Sequence, residues 1–376
     1  MRILFAGGGT GGHFFPILAV IRELKEIAEK ERILDLELFY MGPDDFGKEL
    51  LRHEAVISIT IPTGKMRRYL SLKNIVDVFK IPVGIVQAVW NIFLIMPDVI
   101  FSKGGYGALP AVVAGIIFRI PLIIHESDAI AGKTNIFSGR FADRIGIAFS
   151  EAAEFFKKEK TALVGIPIRK RILGGLRENA RERFDIFSEK SVIGFMGSSQ
   201  GSQKINDVVL GALRELTDEF EVIHQTGEKN KQQVQEEAMV ILEFAHKERY
   251  HLHGFLDEPG MRDFYAASDL IVSRAGASSI FEIAAWGKPS ILIPLSTSAQ
   301  DHQRANAYAY ASGGGAVVIE EQNLTVHILL SEIKKMMDYP EKLKERSLAA
   351  QKFSRIDAAT VLAKEILKLG AHAYGG

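Results

Sequence analysis

Short apolar runs rich in β-branched and aromatic residues alternate along the chain with helix-length amphipathic segments. In the first half, strands are expected at residues 3–6, 36–41, 56–61, 98–102, 122–125 and 145–149. Helical segments separate them, among them 16–30, with Pro16 at its first turn, and 72–95. The second half repeats the pattern, with strands expected at 192–196, 220–224, 250–253, 270–273, 290–294 and 316–319. Strand–helix alternation implies parallel sheets covered by helices on both faces, hence an α/β chain of doubly wound architecture. The join is expected at Val164-Gly165-Ile166-Pro167, where Gly and Pro together interrupt regular structure. From about Lys342 onward the chain reads as two helices, broken near Ser354-Arg355-Ile356-Asp357, with Asp357 a candidate cap.

Two glycine-rich turns echo one another across the halves. Gly7-Gly8-Gly9-Thr10-Gly11-Gly12-His13 follows the first strand, and Gly197-Ser198-Ser199-Gln200-Gly201 follows the strand at 192–196. Each precedes a helix. Such a turn presents backbone N–H groups at the positive end of a helix, a ready place for an anion. One per half suggests tandem nucleotide-type domains with a cleft between, able to hold two phosphorylated ligands.

The 376 residues suit two domains rather than one core. Lys plus Arg total 46 and Asp plus Glu total 46, so bulk attraction to nucleic acid is not indicated. The absence of cysteine removes disulfides, thiolate nucleophiles and Cys-ligated metal. A strand begins almost at once, so no signal peptide is expected ahead of it. The apolar stretch 81–96 is interrupted by Pro82, Gly84, Gln87 and Asn91, which argues for a packed helix rather than a membrane span. Around it Lys65, Arg67, Arg68, Lys73 and Lys80 mix with Tyr69, Leu70, Leu72, Ile75, Phe79 and Trp90. That mixture fits either a core helix with a solvated basic face or contact with an anionic bilayer surface.

Candidate chemistry gathers after the strands. Gly7, Gly9 and Gly12 satisfy G-x-G-x-x-G, but the second strand closes on Tyr40-Met41-Gly42 without the acid a dinucleotide ribose needs. No G-x-x-x-x-G-K-[ST] occurs at either turn, which argues against a P-loop nucleotidase. His13 follows the first turn and could take a proton, hold phosphate, or only bond the loop. Lys103-Gly104-Gly105-Tyr106-Gly107 is a further turn, expected on the same sheet edge and able to share a diphosphate with the first, or else an ordinary connection. His125-Glu126-Ser127-Asp128 closes another strand there, with helix capping by Asp128 or Thr134 as the alternative. In the second half Glu282 lies among apolar neighbours and fits either a ribose diol or a capping box with Ser279. Asp301-His302-Gln303-Arg304-Ala305-Asn306 is polar at a helix start. No Asp-x-Asp pair and no convincing metal-ligand spacing is present, so a leaving diphosphate is expected to rest on backbone dipoles and side chains, with no metal and no cofactor held by the protein.

Taken in order, these segments resemble the MurG family of bacterial peptidoglycan glycosyltransferases (glycosyltransferase family 28). The resemblance is carried by the motifs above together with Gly165-Ile166-Pro167-Ile168-Arg169, His224-Gln225-Thr226-Gly227 and Ser273-Arg274-Ala275-Gly276-Ala277, and it spans nearly the whole chain. It implies a GT-B fold, two Rossmann-like domains facing a cleft. Residues 1–164 would form the acceptor and membrane domain, 165–354 the UDP-sugar domain, and a helix at about 355–372 would pack back on the first. The implied reaction is transfer of N-acetylglucosamine from UDP-N-acetylglucosamine to the 4-hydroxyl of lipid I, giving lipid II, with inversion. Carried over by position, His13 would be the base or an acceptor-positioning residue. Gly9, Thr10, Gly11, Gly104, Gly105 and Tyr106 would cradle the acceptor diphosphate. Thr10, Gly11, Gly12, Asp128, Arg169, Ser199, Gln200, Ala277, Ser278, Ser279, Glu282 and Gln303 would contact the donor, with Glu282 on the ribose and Gln303 on sugar hydroxyls. Lys73, Ile75, Phe79 and Trp90 would touch the membrane. Attachment would be peripheral, at the cytoplasmic face of an anionic membrane, beside other cell-wall synthesis proteins, with no nucleic acid partner. The rival readings are a UDP-sugar 2-epimerase of the same fold and a non-catalytic nucleotide-binding partner protein. Asp128 stands where many members have Asn, Ala131 where Pro is frequent, and Ser198 where Gly is common.

Overall fold

A computed structural model describes residues 1–8, 11–33, 35–43, 47–64, 72–197, 201–242 and 244–372, with the side chains of 72–79, 244, 245 and 372 outside the description. The chain forms two compact units, residues 1–169 with 355–376, and residues 170–354.

The first unit is built on strands β1 (Arg2–Ala6), β2 (Glu37–Gly42), β3 (Ile57–Thr60), β4 (Val99–Ser102), β5 (Leu122–Glu126), β6 (Arg144–Ile147) and β7 (Thr161–Leu163). They lie in the order β3-β2-β1-β4-β5-β6-β7, and every pairing is parallel. Along β1, Ile3 and Phe5 point to one face and Leu4 and Ala6 to the other, and all four are fully buried. On the first face the Gly11–Lys30 helix supplies Phe14, Ile17, Leu18, Ile21 and Leu24, and the Ala358–His372 helix supplies Leu362, Ala363, Ile366 and Leu367. Thr360 Oγ1 donates to Glu23 Oε1 at 2.7 Å between those two helices, and Arg144 pairs with Glu365 at 2.8 Å. On the second face the Leu72–Ile95 and Leu109–Ile117 helices bury Ala88, Ile92, Ala111, Val112 and Ala114. The three-residue β7 was not expected from sequence. It is a half-exposed edge with Leu163 39% accessible, so it carries no continuous apolar run to announce it.

The second unit contains β8 (Val192–Met196), β9 (Glu221–Gln225), β10 (Tyr250–His253), β11 (Leu270–Ser273), β12 (Ser290–Leu292) and β13 (Ala316–Val318), in the parallel order β10-β9-β8-β11-β12-β13. The Gln203–Glu219 and Val326–Met337 helices cover one face through Ile205, Val209, Leu216, Leu329 and Ile333. Elsewhere in the unit Phe353, closing the Pro340–Phe353 helix, packs its ring 5.0 Å from Phe281 and 4.9 Å from Tyr310.

Both sheets reverse their strand order beside their first strand, between β1 and β4 and between β8 and β11. In an open parallel sheet, ligands settle beyond the carboxyl ends of the strands at that reversal. The glycine turns after β1 and β8, and the turns after β4 and β11, stand at those two points.

The segment expected at the join is bonded into the first unit. Val164 and Gly165 N–H donate to Ile147 O at 2.9 and 3.2 Å, and His125 Nε2–H donates to Gly165 O at 2.7 Å. The chain passes to the second unit after Arg169 and returns after Ser354.

Candidate functional site

The first helix starts at Gly11, not at Pro16, so Gly11, Gly12 and His13 form its opening turn. Pro16 lacks only a bond to Gly12 O, at the end where a helix spares it most easily. The N–H groups of that opening turn have no intrahelical acceptor and carry the positive end of the helix dipole. Gly9 and Thr10 lie outside the described residues.

The turn after β4 comes against this one directly. Lys103 N–H donates to Ala6 O at 2.9 Å, carrying the β1–β4 pairing past Ser102. Gly105 has φ +74°, and a Cβ there would sit 3.2 Å from His13 Nε2. The His13 ring, half-buried, therefore lies across the second turn. Gly104 has φ +79°, and a Cβ on it would fall 2.5 Å from Asn135 Oδ1. Both positions favour glycine on conformation, and Gly104 on space as well. Tyr106 is half-buried beside them. The expectation that the two N-terminal glycine turns share one sheet edge is met.

Beneath these turns lies a buried polar cluster. Glu126, 4% exposed, accepts Ser127 N–H at 2.7 Å and Asp128 N–H at 3.0 Å on Oε1. Its Oε2 accepts Gly132 N–H and Asn135 Nδ2–H, each at 2.9 Å. Glu126 thus shapes the loop from 127 to 132. Burial raises its carboxyl above the ordinary range, and the Asp128 charge adds to that, against the pull of those hydrogen bonds. Lys103, 1% exposed, donates from Nζ to Ser127 Oγ. Burial brings its ammonium down to about 8, although Glu126 and Asp128 pull upward. His125 is kept neutral by burial and then by the Lys103 charge. Helix capping by Asp128 or Thr134 does not occur: the Lys133–Gly139 helix starts from Gly132 with no side-chain cap. Arg169 falls in this first unit, buried, its guanidinium 4.2 Å from the Phe15 ring centroid.

In the second unit Ser198, Ser199 and Gln200 lie outside the described residues, but the turn is framed by Gly197 and Gly201. Gly201 has φ +79°, and a Cβ there would stand 1.9 Å from Thr226 O. Ser202 then caps the Gln203–Glu219 helix by accepting Ile205 N–H at 3.4 Å. Arg274, 6% exposed, donates to the same Ser202 Oγ at 2.7 Å and pairs with Glu321, which also accepts Ser296 N–H at 3.1 Å. One buried guanidinium, which also donates to Ile293 O at 3.3 Å, so ties the segments that follow β8, β11, β12 and β13.

The Ala277–Ala285 helix begins at Gly276 with no side-chain cap, leaving the N–H groups of Ala277, Ser278 and Ser279 directed past the end of β11. The capping box is not formed: Ser279 is already the third helical residue, and Glu282 is buried and accepts Tyr265 O–H at 2.9 Å. Gln303, half-buried in the first turn of the His302–Ser312 helix, has its Oε1 engaged by Leu295 N–H at 3.0 Å. Gln300 and Asp301 ahead of it both adopt left-handed φ, 53° and 56°.

The helix expected to touch a membrane has two unlike sides. Gly84, Ala88 and Ile92 pack inward, while Val83, Val86, Trp90, Phe93 and Leu94 are 50–69% exposed. Phe93 packs at a tilt against Trp90 and Phe118, at 6.3 and 6.2 Å between ring centroids. Lys65, Arg67, Arg68, Tyr69, Leu70 and the side chains of Leu72, Lys73, Ile75 and Phe79 lie outside the described residues. The outward face is thus mostly apolar where it is described, with Gln87 and Lys80 also exposed on this helix. Among the described residues no helix is long and apolar enough to cross a membrane.

Sequence reasoning passed over the work of Glu126, Lys103, Asn135, Arg274 and Tyr265. Lys103 and Glu126 did carry a signal, a charge set at the end of an apolar strand. Their partners lie up to 24 residues away and no spacing rule joins them.

Comparison with known proteins follows the same division. Residues 3–147 match the glycosyltransferase family 28 N-terminal domain and residues 192–362 match its C-terminal domain. Over 373 residues, 99% of each chain, the sequence is 36% identical to a Clostridium perfringens UDP-N-acetylglucosamine–N-acetylmuramyl-(pentapeptide) pyrophosphoryl-undecaprenol N-acetylglucosamine transferase. A Bacillus cereus protein of that name is 35% identical over 97% of this chain and 99% of its own. The crystal structure of Acinetobacter baumannii MurG superposes with TM-score 0.73 at 25% identity, covering 98% of this chain and 99% of that one. A Neisseria meningitidis UDP-GlcNAc 2-epimerase shares the fold, TM-score 0.66 at 14% identity, over 98% of this chain and 100% of its own.

Proposed function

We propose that this chain, which belongs to glycosyltransferase family 28, transfers N-acetylglucosamine from UDP-N-acetylglucosamine to the 4-hydroxyl of lipid I, undecaprenyl-pyrophosphoryl-N-acetylmuramyl-pentapeptide, giving lipid II. The observation that carries this reading is the end-to-end match to relatives bearing that activity in their names.

The reaction is one displacement. The acceptor 4-hydroxyl oxygen attacks the anomeric carbon from the face opposite UDP, the bond from that carbon to the UDP oxygen breaks, and configuration inverts. One base suffices, and His13 takes the proton. Its place on the first helical turn, packed over Gly105, sets it beside backbone donors suited to the acceptor diphosphate. Gly9, Thr10, Gly11, Gly104, Gly105 and Tyr106 hold that diphosphate. The open N-terminus of the Ala277–Ala285 helix, with Ser199 and Gln200, receives the charge that builds on UDP. Glu282, whose Oε2 accepts Tyr265 O–H, binds the ribose diol. The engagement of Gln303 Oε1 leaves its amide N–H groups for sugar oxygens. Asp128 faces the transferred sugar. The first unit is the acceptor and membrane unit and the second the donor unit. The exposed apolar face of the Leu72–Ile95 helix, with its basic neighbours, rests on the cytoplasmic surface of an anionic membrane, where the acceptor lies and other cell-wall synthesis proteins work.

The test is radiolabelled UDP-N-acetylglucosamine offered with lipid I in vesicles. Label entering the lipid fraction supports transfer. A changed soluble sugar would support epimerisation, and an unchanged donor that nevertheless binds would leave a binding protein.

A further inference from the structure

We propose that Lys103 is a positioning residue for the transfer reaction. Its ammonium, buried beneath the second glycine turn and donating to Ser127 Oγ, is the counter-charge that holds Glu126 and Asp128 as neighbouring carboxylates and so fixes the loop from 127 to 132. This rests on the proposed function, in which that loop brings Asp128 to the transferred sugar.

The geometry is a closed set of charges at the carboxyl ends of β4 and β5. Lys103 is 1% exposed and Glu126 4% exposed. Each alone would be costly to strip of water, as any unpaired buried ion is. Glu126 spends both oxygens on four N–H donors, three from the loop backbone and one from Asn135, the pattern of an ionised carboxylate. Asp128, two positions on, adds a second negative charge that Glu126 feels. The N–H donors of the loop and Asn135 work against that repulsion without adding a positive charge. A cation adds one, and Lys103 reaches the loop at Ser127, the residue between the two acids. Among the described residues, the charged or titratable groups facing Lys103 are Glu126 and Asp128, which favour its charged form, and His125, held neutral with Nε2–H donating to Gly165 O. The lysine cannot swing out to solvent cheaply, because its backbone is bonded to Ala6 and its Cβ packs on Gly7.

The position of Lys103 makes its protonation part of the working state. The ammonium titrates at about 8, so the rate should fall as pH rises through that value. Asp128 raises the Lys103 value, and Asp128→Asn should therefore move this alkaline limb to lower pH.

The experiment is a double-mutant cycle on the full-length protein with Lys103→Met, Asp128→Asn and the pair. Thermal unfolding is recorded for each, and label transfer from UDP-N-acetylglucosamine to lipid I is followed across pH. Lys103→Met should lower kcat about tenfold or more with the donor KM within about twofold, as expected when a transition-state contact is misplaced. It should also lose the alkaline limb. The pair should regain part of the thermal stability lost by Lys103→Met alone, since removing one carboxylate relieves the uncompensated charge. Strictly additive stability losses, or a Lys103→Met protein with wild-type kcat and an intact alkaline limb, would overturn the proposal. Should Lys103→Met not fold, the limb of Asp128→Asn decides: an unmoved limb overturns the proposal as well. Failure of the wild-type protein to label lipid I would instead defeat the functional reading, and the unfolding cycle, which needs no activity, would still judge the charge pairing.

Discussion

His13 and Glu282 serve opposite ends of the proposed displacement, and their substitutions should separate turnover from donor binding. His13→Ala removes the proposed base and changes no residue of the second unit. Its kcat should fall about 10²- to 10⁴-fold, with UDP affinity by calorimetry unchanged. A collapse of UDP affinity would contradict the assignment of donor and acceptor to different units. Glu282→Ala should weaken donor binding by about 1–3 kcal/mol, the cost of a lost buried acceptor. Tyr265→Phe is the control, because it removes the hydroxyl that Glu282 accepts and keeps the carboxylate. If Tyr265→Phe weakens the donor equally, Glu282 acts through packing rather than on ribose. An acid among apolar residues was readable as a buried carboxylate. Its partner was not, because Tyr265 lies 17 residues earlier on another helix and only the packing of the Glu258–Ala267 helix against Ala277–Ala285 brings them together.

At the scale of the element, strands and helices followed the alternation of apolar runs, and the turns followed glycine. Gly201 is where both constraints coincide, a left-handed backbone and a carbonyl 1.9 Å from where a Cβ would be. Gly201→Ala should therefore cost about 2–4 kcal/mol, near the upper end for single substitutions. A thermal melt would register it as a lower transition with weakened UDP binding, and an unaltered melt would show that the turn adjusts freely. Local signals failed where tertiary context outweighed them. Ser279-x-x-Glu282 has the spacing of a capping box, yet the helix starts at Gly276 because its open end, not a side chain, terminates it. Pro16 resembles a first-turn proline, yet the helix begins at Gly11 because one missing bond near its start costs little. Such errors move a boundary by a turn and leave the element in place.

Across the whole molecule, the outward side of the Leu72–Ile95 helix sets the prediction. Val83, Val86, Trp90, Phe93 and Leu94 make an apolar face too exposed to serve a core. Replacing Trp90 and Phe93 together by Glu should weaken binding to phosphatidylglycerol vesicles about tenfold or more, given about 1.5–3 kcal/mol for each buried aromatic or aliphatic side chain. Activity on a water-soluble acceptor analogue should persist. Retained vesicle binding would mean that another surface meets the membrane. The sequence left this helix between a core element and a membrane-facing one. The structure divides it, with Gly84, Ala88 and Ile92 inward and the aromatics out. The C-terminal helix belongs to this scale too. Its Leu362, Ile366 and Leu367 complete the core of the first unit, more than 300 positions after Phe14 and Ile17, with Thr360 and Glu23 bonded at a separation of 337.

By itself the sequence determined what depends on near neighbours: the period of apolar residues, the glycines that only one backbone conformation admits, and the order of motifs shared with the family. Those fix the strands, the parallel sheets, the glycine turns and the class of reaction. Tertiary structure alone decided which charges meet. Lys103 under Ser127, Arg274 across Ser202 and Glu321, and Tyr265 on Glu282 are joined only when distant strands and helices pack. Burial then gives those contacts their strength, since a charge removed from water must find its partner wherever the fold supplies one.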